Sequence, residues 1–182
     1  RLLNVERVLE IGCANGFFLD RVKGMGIENV SGIEPSRAAW EGIPPALQRY
    51  VVNDMLREGL FPEDSFDGVC FFQGFDHIAD PNGFLSAVHH YLRKGGVVFA
   101  IHHNIRGLLP TLLGRWAPTY DISHLHLWDK KTMRLILEKH GFQVEYIENL
   151  ANQYQMDYIA RMLPMPAPLK KGVRTLLRKT GF

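Results

Sequence analysis

The strongest constraint on this chain is an alternation. Short, nearly continuous apolar runs are separated by stretches with helical patterning. Residues 7–11 (Arg-Val-Leu-Glu-Ile) read as a strand stopped by Gly12, and 17–23 as a helix closed by Gly24 and Gly26. Further strands are expected at 30–34, 50–53, 66–72, 97–101 and 142–147. Pro35-Ser36 opens a helix that cannot pass Pro44-Pro45. Asp80-Pro81 caps a helix through Leu92, Gly95-Gly96 makes a turn, and Asp129 caps a helix to His140 that Gly141 ends. Residues 154–163 read equally well as a seventh strand or a helix. Apolar strands alternating with helices require a parallel sheet covered on both faces. The expected fold is therefore α/β: a doubly wound, Rossmann-like, three-layer α/β/α sheet, mostly parallel, with an antiparallel last strand. One domain is expected over residues 1–163, followed by a basic, helical tail over 164–182.

Composition narrows the class. At 182 residues, 46% hydrophobic and 22% charged, the chain is neither disordered nor a disulfide-stapled miniprotein. A net charge of +2 does not argue for a nucleic-acid partner. No apolar run approaches the roughly 18 residues of a membrane span. Cys13 and Cys70 lie in apolar stretches and read as reduced, buried thiols, which favours a cytoplasmic setting. Their expected positions on neighbouring strands leave a disulfide geometrically open.

Sheets of this kind bind ligands at the carboxyl ends of their strands. After the first strand, the small residues Gly12, Ala14 and Gly16 permit a sharp turn and close approach of a ligand to the backbone. Glu34 ends the second strand about 20 residues beyond Gly12, where an acid can accept both hydroxyls of a ribose. Asp54 and Met55 follow the third strand, suited to an exocyclic amine and a purine face.

The series Glu10-x-Gly12-x-Ala14-x-Gly16, Glu34, Asp54, Phe66-Asp67-Gly68-Val69 and Leu92-Arg93-Lys94-Gly95-Gly96 resembles the motif order of class I S-adenosylmethionine-dependent methyltransferases. Residues 73–81 (Gln-Gly-Phe-Asp-His-Ile-Ala-Asp-Pro) are similar to that family's segment after strand four. His124-Leu125-His126-Leu127-Trp128 resembles small-molecule members of the ubiquinone-pathway type. The resemblance spans about residues 7–148 and departs at Ala14, where glycine is usual. It implies a cofactor, S-adenosyl-L-methionine, leaving as S-adenosyl-L-homocysteine. Glu10, Gly12, Cys13, Ala14, Asn15 and Gly16 would line its amino-acid part. Glu34 with Pro35 would hold the ribose, and Asp54 and Met55 the adenine. Gln73 and Gly74 would face the amino-acid end or the acceptor. It further implies a methyltransferase of a small organic acceptor, oxygen favoured. A cap of one or two helices before strand one, usual in the family, is expected to be missing from this sequence.

A nicotinamide or flavin oxidoreductase fits less well, because its fingerprint needs glycine where Ala14 and Phe17 stand. A cofactor-binding domain without turnover is the non-enzymatic alternative. Base methylation is disfavoured, since Gln73-Gly74-Phe75-Asp76 lacks the Pro-Pro stretch of amino-group enzymes and neither cysteine follows a proline. For a hydroxyl acceptor, histidine is the best-suited base near neutral pH. His77, His103 and His124 are the candidates, with His102 and His126 beside them. No metal is expected, because adjacent residues His102 and His103 point to opposite faces of a strand, which parts the set that Asp121, His124 and His126 would complete. Trp116 and Tyr120 read either as an acceptor wall or as cover for the sheet. The stretch from Asn104 to Leu127 reads as a long irregular substrate loop or lid. The basic tail reads as a solvated helix, with contact to an anionic membrane surface as the disfavoured alternative, given Gly172.

Overall fold

In the computed structural model, residues 5–150 and 165–180 are described. Five strands form one sheet: β1 (Arg7–Ile11), β2 (Asn29–Ile33), β3 (Val51–Val52), β4 (Phe66–Phe72) and β5 (Leu92–Ile101), in the spatial order β3-β2-β1-β4-β5. Every pairing is parallel. The helices are α1 (Phe17–Gly24), α2 (Arg37–Glu41), α3 (Pro45–Gln48), α4 (Pro81–Tyr91), α5 (Leu108–Leu113), α6 (Lys130–Lys139) and α7 (Ala167–Thr180). The chain reverses direction across the sheet between β3 and β4, so the switch point lies between β1 and β4.

Strand alternation divides the core in two. Val8, Val30 and Cys70 join Leu19 and Val22 of α1 and Leu47 of α3. Leu9, Ile11, Ile33, Val69 and Phe71 join Leu85 and Val88 of α4 and Met133 of α6 on the other face. Leu9, Leu19, Leu85 and Val88 are fully buried, each worth about 1.5–3 kcal/mol relative to exposure. Gly32 lets α1 sit close on β2, since a Cβ there would lie 2.8 Å from Leu19 Cδ1 and 2.9 Å from Cys13 Sγ. The helix starts follow the capping chemistry. Ser36 accepts from Ala39 N–H, Asp80 from Asn82 and Gly83, and Asp129 forms a capping box with Thr132.

Three expectations are corrected. Gly95-Gly96 does not precede the fifth strand but lies inside it. The register shifts there from Phe66↔Leu92 to Gly68↔Val97, and Gly95 takes φ +76° in the resulting bulge. Residues 142–147 form no strand, and no antiparallel pairing is present among the described residues. Period-2 burial breaks there, with Val144 and Ile147 partly buried and Tyr146 exposed. The Val144 carbonyl accepts from Arg134 instead of from a ladder. The Asn104–Leu127 stretch is not irregular throughout: it contains α5 and 3-10 turns at Gly114–Trp116 and Pro118–Tyr120. Residues 154–163 lie outside the described residues. Cys13 and Cys70 are both buried and free. Burial, first, and the nearby acid Glu10 push both thiols up to about 12. No helix among the described residues is long and apolar enough to cross a membrane.

Candidate cofactor and acceptor site

The turn after β1 is built on left-handed backbone: φ is +74° at Gly12, +47° at Ala14 and +76° at Gly16. Gly12 and Cys13 N–H donate to Ile33 O at 2.8 Å and 3.1 Å, which anchors the turn on the end of β2. A Cβ added at Gly12 would meet no atom within 4 Å, so the turn leaves open space there. Ala14 adopts the conformation glycine would, at a cost of roughly 1–2 kcal/mol. Asn15 Oδ1 accepts from Phe17 N–H at 3.2 Å and helps turn the chain into α1.

Two buried acids sit behind this turn. Glu34 Oε2 accepts from Ala14 N–H at 2.7 Å, and its Oε1 from Ser36 N–H at 2.8 Å. Glu34 therefore braces the loop with one lone pair on each oxygen and retains another on each. Glu10 Oε2 is buried without a hydrogen-bond partner. Burial, and then the charge of Glu34, push the Glu10 carboxyl up to about 7, against a backbone hydrogen bond from Leu19. Pro35 is exposed beside Glu34. Asp54 lies farther along the edge, its Oδ2 paired with Arg57 at 2.8 Å and its Oδ1 accepting from Met55 N–H at 2.8 Å. The Arg57 hydrogen bond holds the Asp54 carboxyl below its ordinary value. The Met55 backbone donor is thus already engaged, while its side chain is exposed.

Beyond the switch point, Gln73 follows β4 in a left-handed conformation, φ +50°, its N–H donating to Ile101 O at 2.6 Å. A non-glycine residue held this way stores strain of the kind found at ligand sites. Gly74 then leads into a 3-10 turn, Phe75–His77. Asp76 in that turn is buried, and its backbone carbonyl accepts from Leu125 N–H at 2.9 Å and His126 N–H at 3.1 Å. These bonds fasten the distant loop and bring His124 onto the Asp76 side chain.

Three histidines converge there. His103 Nδ1 lies 2.8 Å from Asp76 Oδ2, His124 Nε2 3.5 Å from Oδ2 and His77 Nε2 3.9 Å from Oδ1. The His124 ring centroid is 4.8 Å from that of His77 and 5.0 Å from that of His103. Burial pushes the Asp76 carboxyl up, but hydrogen bonding from His103 and its own backbone and the nearby imidazoles outweigh it, holding the carboxyl below its ordinary value.

The structure therefore gathers the three sequence-predicted histidines and adds Asp76 as their hub. Asp76 was legible as a polar residue just past strand four, but its role needed the loop closure that only folding supplies. The set with His102, His126 and Asp121 is not assembled. His102 Nδ1 lies 2.9 Å from His103 O, His126 packs near Trp128, and Asp121 accepts from Ser123. Burial, chiefly, lowers the pKa of His102. Trp116 and Tyr120 are exposed at 55% and 42%.

A family model described as a methyltransferase domain matches residues 1–147. The chain is 24% identical over 170 residues to a ubiquinone biosynthesis O-methyltransferase of Sinorhizobium fredii, covering 82% of this chain and 67% of that protein. It is 34% identical over 103 residues to a tRNA U34 carboxymethyltransferase of Pseudomonas fluorescens, covering 52% of this chain and 32% of that one. It thus spans between about a third and two thirds of the length of these curated relatives. Among solved structures, a putative methyltransferase from Bacillus halodurans superposes with a TM-score of 0.70 at 18% identity, covering 94% of this chain and 77% of that one. A SAM-dependent methyltransferase from Archaeoglobus fulgidus gives 0.64 at 21% identity, covering 97% and 80%. At these identities the two structures show the shared fold.

Proposed function

Because this chain belongs to the class I S-adenosylmethionine-dependent methyltransferase family, we propose that it transfers a methyl group from S-adenosyl-L-methionine to an oxygen of a small organic acceptor. The observation that carries the acceptor half is the gathering of His77, His103 and His124 on Asp76, at the carboxyl ends of β4 and β5. The cofactor half rests on the open turn at Gly12 and the unpartnered Glu10 Oε2, which suits an ammonium group.

When bound, the cofactor supplies an electrophilic methyl on a sulfonium. The chain's task is alignment, and positioning of this kind contributes several kcal/mol to lowering a barrier. Gly12, Ala14 and Gly16 admit the amino-acid part, with Cys13 and Asn15 holding the turn. Glu34 uses its remaining lone pairs for the ribose hydroxyls, beside Pro35. Asp54 and the Met55 side chain bound the adenine, and Gln73 with Gly74 separates the two halves of the site. The Asp76 cluster takes the proton of the acceptor hydroxyl, the buried carboxylate stabilising the imidazolium that forms.

Calorimetry with S-adenosyl-L-homocysteine tests the cofactor half. Folded protein is expected to bind it. Glu34→Ala should weaken binding by about 10- to 100-fold, the worth of hydrogen bonds to a charged group, while Asp20→Ala, on the exposed side of α1, leaves it unchanged. Equal effects would refute the assignment. A coupled assay over phenols, aliphatic hydroxyls, amines and tRNA then tests the acceptor. Turnover confined to amines or to tRNA would overturn the small oxygen acceptor.

A further inference from the structure

Around Asp76 one proton is donated, from His103 Nδ1 to Oδ2 at 2.8 Å and displaceable by a cation, and the other groups present lone pairs. His77 Nδ1 lies 2.8 Å from Ser123 O, and His124 Nδ1 lies 2.9 Å from Thr119 O. A carbonyl oxygen only accepts, so each Nδ1 carries its ring's proton. In the neutral ring Nε2 then bears a lone pair. Those Nε2 atoms lie 3.9 Å and 3.5 Å from the two oxygens of one carboxylate. Asp76 Oδ1 is buried and without a hydrogen-bond partner. Nitrogen lone pairs facing a carboxylate repel it unless a positive charge lies between them.

We propose that Asp76, His103 and His124 form a site for a first-row divalent cation of the zinc or cobalt type, with His77 as a further donor. One ligand atom from each of the three residues lies within 4.8 Å of the others. Bonds of about 2.0–2.2 Å to a common ion would draw them slightly inward. His77 and His103 are partly exposed and have room to do so. Imidazole bonded through Nδ1 to a backbone carbonyl is the arrangement that orients metal-ligating histidine. A donor set of imidazoles and one carboxylate suits zinc, cobalt or nickel better than magnesium or calcium. The divergence of His102 from His103 does not disturb this set, because the carboxylate comes from the turn after β4 and not from a neighbouring histidine. Placement of the ion beside an acceptor rests on the methyl-transfer reading, and with the ion bound the acceptor hydroxyl would be acidified on the ion instead of giving its proton to an imidazole; binding of the ion does not rest on that reading.

The test uses tag-free, chelator-stripped full chain. Cobalt(II) added to one equivalent should produce a ligand-field spectrum in the visible, and zinc(II) should abolish it. His103→Ala and His124→Ala should each weaken zinc binding at least about tenfold. His102→Ala should leave it unchanged. Asp76→Asn should also lose the ion, and if that variant fails to fold, the two histidine variants decide. No spectrum and no heat of zinc binding at micromolar protein would overturn the site, as would equal losses in all three histidine variants. Histidine proton signals that titrate with pH and ignore added zinc would identify the occupant as a proton and overturn it too. Calorimetry with S-adenosyl-L-homocysteine on the same samples separates the two readings. Cofactor binding without zinc binding sinks the cation site alone, and zinc binding without cofactor binding sinks the cofactor assignment alone.

Discussion

Glu10 shows how one residue can tie stability to ligand binding. Burial beside Glu34 raises its carboxyl from 4.5 to about 7. The unfolded chain releases that proton near 4.5 and the folded chain only near 7. The stability linked to the retained proton is thus complete below about 4.5 and is lost as pH rises through about 7. Glu10→Gln removes this dependence. The ligand-free variant should be more stable than the parent at pH 8, by on the order of 3 kcal/mol, and indistinguishable from it near pH 4.5. Urea unfolding at the two pH values measures this, and identical differences at both would contradict it. The same substitution should weaken S-adenosyl-L-homocysteine binding at pH 8, where an ionised Glu10 would meet the ligand's ammonium. Ligand-free protein is destabilised at the pH where ligand-bound protein is not.

At the scale of elements, α1 and β2 depend on an absent side chain. Gly32→Ala places a Cβ within 2.8–3.0 Å of Leu19, Cys13 and Val51. Overpacking of this kind should cost about 1–3 kcal/mol, read as a lower denaturation midpoint, and it should tilt the glycine turn that Cys13 belongs to. An unchanged midpoint would mean that α1 sits less tightly on the sheet. The main elements were legible because their signals are local: apolar runs for β1, β2, β4 and β5, and Asp80 and Asp129 as caps. What escaped was set by partners distant in sequence. Gly95-Gly96 looks like a turn in isolation, and only pairing with β4 shows a bulge. Residues 142–147 carry strand-forming residues, but a strand also needs an edge to bond, and Arg134 occupies the Val144 carbonyl. His77 and His103 were named from their places after strands, and His124 from the long loop. Their hub, Asp76, depends on a loop returning from residues 124–126 to its backbone, which no local pattern encodes. Asp54 was read toward adenine, and its pairing with Arg57 three residues on was overlooked.

Across the whole molecule, the amino edge of the sheet is held by one carboxylate. Asp67 Oδ2 accepts from Glu6 N–H at 2.9 Å and Arg7 N–H at 2.8 Å, and its other oxygen pairs with Arg93 on β5. It thereby joins the start of β1 to β4 and β5. Asp67→Ala leaves these donors without their acceptor and should cost about 2–3 kcal/mol, a fall in Tm of roughly 5–10 °C. Because the ligand turn is at the opposite edge, affinity for S-adenosyl-L-homocysteine at low temperature should stay unchanged. A matching loss of affinity would show that the two edges are coupled. The division of the core by strand alternation has a wider consequence. Val8 and Leu9 are adjacent in the chain, yet one packs in the core that holds Cys13 of the glycine turn and the other in the core that holds Phe75 of the turn carrying Asp76 and His77. The sheet works as a partition between two workshops, so selection can refit the one that recognises the acceptor while the one that holds the methyl donor keeps its tools in place.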